Sequence, residues 1–337
     1  MATLRPAALL ATGAILLGAC GGGGPSSASS ASPAPSAASA SAASSAPAKL
    51  TIFAAGTLVN PFKDIDSAFM KKYPNVTVEA QFGGSVKMVK QITELGQKAD
   101  VVGVAGYTVI PKYLIDGSKK YTDWYVGFVS NAITFVYTDK SKGASGITPQ
   151  NWYTVLSQPG VRVGRSNPDT DPSGYATLQM LKLAESYYHQ PGLSDAILSN
   201  APKTYMRDTE TELIGALQAG EIDYLAIYRS DAKQHGFKFL DLPSDIDLSD
   251  AAKAAAYKTV TVHTANGDLV GQPIVYALSV PDDAPQRAWA LRWMQFALGA
   301  DGQGAMSKAG FNVISPAIAQ PLDKTPDQLR SLVKQWP

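Results

Sequence analysis

The sequence predicts an α/β protein of two lobes joined by a two-strand hinge. Two observations predict it. Short apolar runs alternate with segments of helical periodicity, and they do so in two successive sets. Between the sets lies a β-like run over residues 125–137, long enough to leave one sheet and enter another. With 337 residues, the chain has room for two domains.

In the first set, Leu50-Thr-Ile-Phe-Ala54 is an apolar run bounded by Gly56 and reads as a buried strand. Leu58, Phe62, Ile65, Phe69 and Met70 then recur at helical spacing. Residues 76–80 form the next strand, and Gly83-Gly84-Ser85 opens a helix carrying Val86, Val89, Ile92 and Leu95. Residues 100–102 make a third strand and 107–114 a short helix. This order implies a parallel sheet covered on both faces. The second set comprises strand 161–164, helix 175–188, strand 204–206, helix 210–219 and strand 224–228. Residues 259–263 and 273–280 read as strands on the way back, and helices over 286–298, 302–309 and 326–334 close the chain. Lobe 1 is thus expected from residues 49–130 plus 270–337, and lobe 2 from 131–269.

The N-terminus is read apart from the fold. Arg5 and the apolar stretch 7–17 have the proportions of a secretory signal, too short to span a bilayer. Leu17-Gly18-Ala19-Cys20 resembles a bacterial lipobox, so residues 1–19 are expected to be removed and Cys20 to be lipidated. Residues 21–48 hold Gly, Ser, Ala and Pro and, to position 48, no charge; they read as a disordered spacer. The expected location is the outer face of the cytoplasmic membrane, periplasmic or at the cell surface. Cys20 is the chain's one cysteine, which excludes disulfides and cysteine-based metal sites. A balance of 29 basic and 28 acidic residues argues against nucleic-acid binding.

The chemistry concentrates at helix starts, where bare amides favour anions. Asp171-Pro172 reads as an N-cap followed by Pro at the first helical position, and Ser173-Gly174 leave amides approachable. Arg207-Asp-Thr-Glu-Thr-Glu-Leu213 places Glu210 in another first turn, with a Thr209-x-x-Glu212 capping box. Gly56-Thr57 and Gly84-Ser85 supply two starts in the other lobe. Asp171 and Glu210 are expected to converge on one bound oxyanion. The competing reading treats all four starts as plain helix caps, each contributing about 1 kcal/mol.

At these residues the chain resembles the archaeal-type tungstate/molybdate-binding proteins of ABC importers. The matching segments include AAGTLVNPF (54–62), GGSVKMVKQITELGQKADVVG (83–103), SNPDTDPSGY (166–175), RDTETELIGALQAGEIDYLAIYRSDAKQH (207–235) and QPIVYALSVP (272–281). The resemblance implies a type II periplasmic-binding-protein fold and no cofactor or catalysis, and a monomer is expected. It implies that Gly56, Thr57, Ser85, Pro172, Ser173 and Tyr228 surround the oxyanion. It further implies that Asp171 and Glu210 bond to its tungsten or molybdenum, and that the partner is an ABC permease. Gly106 departs from the pattern, which has an acid there.

The remaining candidates read as structural. Arg165 is expected to pair with a nearby acid rather than to meet the anion, and Asp169 to shape a turn. His189, His235 and His263 are isolated, without metal spacing. Tyr121, Trp124, Tyr125 and Phe128 read as core or hinge packing. Two other functions stay open at this stage: binding of sulfate, phosphate or phosphonate, and a surface hydrolase using Asp171 and Glu210 as acid and base. No nucleophile motif supports the latter.

Overall fold

The computed structural model describes residues 46–208, 210–265 and 267–336. The signal-like segment, Cys20, most of the spacer and Thr209 of the capping box lie outside the described residues. Among the described residues no helix is long and apolar enough to cross a membrane.

The first set of elements is β1 (Ala48–Ala55), α1 (Val59–Lys72), β2 (Val76–Gly83), α2 (Ser85–Thr93) and β3 (Val101–Val104). β1 lies parallel between β2 and β3, as the alternation of strand and helix requires. α1 buries Phe62, Ile65 and Phe69, three positions of one helical face. Phe62 packs against Phe82, Phe128 and Trp293 at centroid distances of 6.4, 6.4 and 5.1 Å. The expected helix at 107–114 is a single turn ending in a π-turn, Pro111–Ile115.

The long apolar run divides into β4 (Tyr125–Ser130) and β5 (Ile133–Tyr137), which belong to different sheets. Asn131 stands at the break, fully buried. Its Nδ2 donates to Ser230 Oγ (2.8 Å) and Tyr276 OH (3.3 Å). Its Oδ1 accepts from the amides of Ala132 (3.0 Å) and Ser230 (3.2 Å). A buried amide so fully satisfied fixes the crossing point.

Then follow α3 (Trp152–Leu156), β6 (Val163–Ser166), α4 (Pro172–Tyr187), α5 (Leu193–Ser199), β7 (Met206–Arg207), α6 (Ile214–Ala219), β8 (Tyr224–Tyr228), α7 (Arg229–Gln234) and β9 (Lys238–Phe239). After α8 (Ala254–Tyr257) come β10 (Thr261–Thr264), β11 (Gly267–Val270), β12 (Val275–Ser279), α9 (Arg287–Leu298), α10 (Ala300–Lys308), β13 (Asn312–Gln320) and β14 (Val333–Gln335). The seven-stranded sheet has the order β14-β13-β4-β12-β3-β1-β2, and the five-stranded sheet β7-β6-β8-β5-β9.

Several expectations are corrected. The first sheet is mixed, because β12 enters antiparallel between β3 and β4 and β13 antiparallel beside β4. The strand expected at 259–263 belongs to the separate β10–β11 hairpin. The helix expected at 326–334 is a 3₁₀ segment, Asp327–Leu332, followed by β14. β13 carries Pro316, which disguised it as a loop. Its pairing with β4 shifts register between Val313 and Ile318, around that proline, which has no amide to give the ladder. The helix expected over 210–219 is a 3₁₀ turn, Glu210–Leu213, and then α6.

Candidate functional site

β6 delivers the chain into the loop before α4. Asp171 is the N-cap: its Oδ1 accepts from the Ser173 amide at 3.0 Å, and Pro172 follows at the first helical position. That proline gives up no hydrogen bond, since the first helical amide has no partner inside the helix. Gly174 is required by close approach. A Cβ there would stand 2.7 Å from Ser166 O, Asn167 C and Pro168 N, so only glycine lets α4 lie against its own entry loop.

The other oxygen of Asp171, Oδ2, accepts from the Glu210 amide at 3.1 Å. Ser173 Oγ donates to Glu210 Oε2 at 3.1 Å and lies 2.7 Å from Ser166 Oγ. Asp171, Ser173 and Glu210 are thus one hydrogen-bonded group, and all three are buried. Burial, the hydrogen bond to Asp171 and the charges of Asp171 and Asp231 push the Glu210 carboxyl up to about 9. The pair therefore carries a proton at neutral pH, as burial beside a second carboxyl disfavours the charged form of Glu210. Asp231, on α7, is pushed up to about 7 by burial and the charge of Asp171. Its Oδ2 is buried without a hydrogen-bond partner among the described residues.

A cavity of about 530 Å³ opens beside this group. Ser85, Gly106 and Thr108 line it from the seven-stranded side; Asp171, Pro172, Tyr175 and Tyr228 line it from the five-stranded side. Burial holds the phenols of Tyr228 and Tyr175 above their usual range, that of Tyr175 at about 12. Both are neutral hydrogen-bond donors.

Thr57 and Ser85 do not cap their helices. Thr57 Oγ1 donates to Tyr276 OH at 3.0 Å, and Ser85 Oγ accepts from the Ala105 amide at 2.9 Å. The plain capping reading therefore holds for Asp171 among the three. Gly56 is exposed, with open space where a Cβ would stand. The structure brings Ser85, Asp171, Pro172 and Tyr228 to the lining of one cavity, and Ser173 and Glu210 into hydrogen bonds with Asp171 outside that lining. Thr57 reaches this neighbourhood through Tyr276, which Asp231 and Glu210 influence electrostatically. Gly106 stands in the cavity lining where the resemblance has an acid.

Asn131, Tyr175, Asp231 and Tyr276 are the residues that the sequence reading passed over. Asn131 had a signal, a lone amide inside an apolar run. Tyr276 had none, since an aromatic residue in a buried strand is ordinary. Arg165 differs from expectation: among the described residues it makes no ion pair with an acid, its Nη1 donates to Ser166 O and contacts Met206 Sδ, and its Nε is buried without a hydrogen-bond partner. Asp169 Oδ1 accepts from the Ala265 amide at 2.7 Å. Trp124, Tyr125 and Phe128 are buried. Among the described residues no group of three or more His, Cys, Asp or Glu is arranged to hold a metal ion.

Comparison with known proteins adds independent findings. Residues 50–312 match the family of bacterial extracellular solute-binding proteins. An uncharacterized solute-binding protein of Petrotoga mobilis is 37% identical over 292 residues, spanning 85% of this chain and 90% of that protein. The molybdate/tungstate-binding protein WtpA of Pyrococcus abyssi is 35% identical over 315 residues, spanning 85% and 90%. Among solved structures, the periplasmic molybdate-binding protein of Azotobacter vinelandii has a TM-score of 0.56 at 17% identity, covering 78% of this chain and 98% of its own. At that identity the likeness concerns the fold.

Proposed function

The chain belongs to the bacterial extracellular solute-binding proteins, and from that premise we propose that its solute is the tungstate or molybdate oxyanion. The oxyanion would be taken up in the cavity beside Asp171, between two lobes, and delivered to the permease of an ABC importer. The relative from Pyrococcus abyssi, named for both oxyanions, supports the choice of solute.

One observation carries the reading: the buried Asp171–Glu210 pair, of which Asp171 lines the cavity. A dianion faces repulsion from two carboxylates. At about 4 Å and an effective dielectric of about 20, each pair of like charges repels by roughly 4 kcal/mol. Sulfate can use the protonated Glu210 only as a hydrogen-bond donor, and it meets the charge of Asp171 without the metal bonds that would offset it. Tungsten and molybdenum can expand their coordination from four oxygens to six, so carboxylate oxygens of Asp171 and Glu210 can bond to the metal itself. Glu210 would give up its proton to do so. Ser85 and Tyr228, with Thr57 and Ser173 once their hydroxyls turn from Tyr276 and Glu210, and the amides near Gly56 and Pro172, would then donate to the oxo groups and offset the charge. Lipidation at Cys20 would hold a monomeric protein at the outer face of the cytoplasmic membrane, and stable anchoring there takes more than one acyl chain.

Isothermal titration calorimetry tests the assignment. Wild-type protein should bind tungstate or molybdate and ignore sulfate and phosphate. Asp171→Ala and Glu210→Ala should each weaken binding at least about tenfold, the loss of roughly 1.4 kcal/mol or more. Sulfate binding as tight as tungstate binding, or unchanged affinity in Glu210→Ala, would defeat the reading.

A further inference from the structure

The charges that line the cavity are segregated by side. Lys87 and Lys112 are the cationic side chains in the lining among the described residues, and both come from the seven-stranded side. The acidic residues of the lining, Asp169 and Asp171, both come from the five-stranded side. Behind Asp171 stand the buried carboxyls of Glu210 and Asp231.

Lys87 is placed oddly for a structural duty. Lys87 stands in the first turn of α2, where the positive end of the helix dipole disfavours a cation. Lys112 lies in the π-turn Pro111–Ile115, its ammonium 5.4 Å from the centroid of the Tyr113 ring. Both are exposed. Neither makes an ion pair among the described residues. Two unpaired cations thus face a cavity whose opposite wall repels anions.

We propose that Lys87 and Lys112 form a capture wall: a dianionic oxyanion docks first against the seven-stranded side, near Ser85, and meets Asp171 and Glu210 only afterwards. The inference rests on the oxyanion reading above and adds an order of events to it. An approaching dianion is attracted by one wall of the cleft and repelled by the other, so its first contact is set by long-range charge. The lysines are positioning residues for encounter. The short-range donors and carboxylates then determine how long the ligand stays.

Stopped-flow fluorescence with tungstate separates these roles. The double variant Lys87→Gln/Lys112→Gln should associate about tenfold more slowly at about 10 mM salt, a deficit that shrinks to within about twofold at about 0.5 M. Its dissociation rate should stay within about twofold of wild type. Lys71→Gln/Lys324→Gln, which removes the same charge at exposed positions outside the cavity lining, should associate like wild type. Asp171→Asn should associate no more slowly than wild type while dissociating faster. An unchanged association rate in the cleft double variant, a loss confined to dissociation, or an equal loss in the control pair would each overturn the capture wall. Slowed association in Asp171→Asn would reverse the proposed order. If wild type binds neither tungstate nor molybdate, the oxyanion reading itself fails; binding with salt-independent association defeats the capture wall alone.

Discussion

Ser173 holds the acidic wall together at the scale of single residues. Its hydroxyl sits between Ser166 Oγ and Glu210 Oε2, and its amide serves Asp171 Oδ1. Ser173→Ala would leave two buried oxygens short of a partner, which costs about 1–3 kcal/mol. Urea unfolding of the ligand-free variant should show that loss, and tungstate affinity should fall with it. Wild-type stability in Ser173→Ala would mean that water or a rotated Ser166 replaces the hydroxyl. At this scale the sequence was partly legible. Asp171 announced itself through its proline, and the resemblance singled out Glu210 and Tyr228. Tyr276 and Asp231 stayed hidden because their roles arise only when distant segments meet. Thr57 and Tyr276, 219 positions apart, share a hydrogen bond, and no local pattern encodes such a pairing. Thr57 and Ser85 looked like caps, yet their hydroxyls serve other elements.

Elements follow from periodicity where burial is one-sided and from context where it is not. The face of α1 was readable from Phe62, Ile65 and Phe69, yet the same face buries Asp66. Trp293 Nε1 donates to Asp66 Oδ1 at 2.8 Å, and burial pushes the carboxyl up to about 7 from its ordinary 3.8. Between those values the native state holds a proton that the unfolded chain has lost. Its contribution is therefore complete below about pH 4 and disappears as pH rises through about 7. Asp66→Asn keeps an acceptor for Trp293 and removes the titration. The stability of wild type relative to Asp66→Asn should fall by roughly 4 kcal/mol between about pH 4 and pH 8. Chemical denaturation across that range reads the difference, and a constant difference would mean that Asp66 is ionised in the native protein. The strands β1 and β8 were legible as apolar runs inside a sheet, and β2, at the sheet edge, by its alternation of apolar and polar residues. β13 was not, since Pro316 conceals it, and β14 was read as helix because three residues are too few to show a period of two.

Across the whole molecule, the chain crosses between sheets near Asn131 and again between β11 and β12, the two passages that a hinge requires. With solute-contacting groups proposed on both sides of the cavity, ligand should favour a closed arrangement over an open one. Small-angle scattering should then give a smaller radius of gyration with tungstate than without it; an unchanged radius with binding confirmed would place the whole site on one side. The two-set organisation was legible because the β-like run over 125–137 is too long for one sheet strand. The mixed character of the first sheet was not, because strand direction depends on which neighbour a returning segment meets. The central claim is that Asp171 and Glu210 bond to the metal of the oxyanion, and X-ray absorption at the tungsten edge of the loaded protein tests it most directly. The account predicts about six oxygens around tungsten, two of them at longer distances and lost in Asp171→Ala and Glu210→Ala. Four equal short bonds would contradict it, leaving Asp171 a helix cap and Glu210 its buried neighbour.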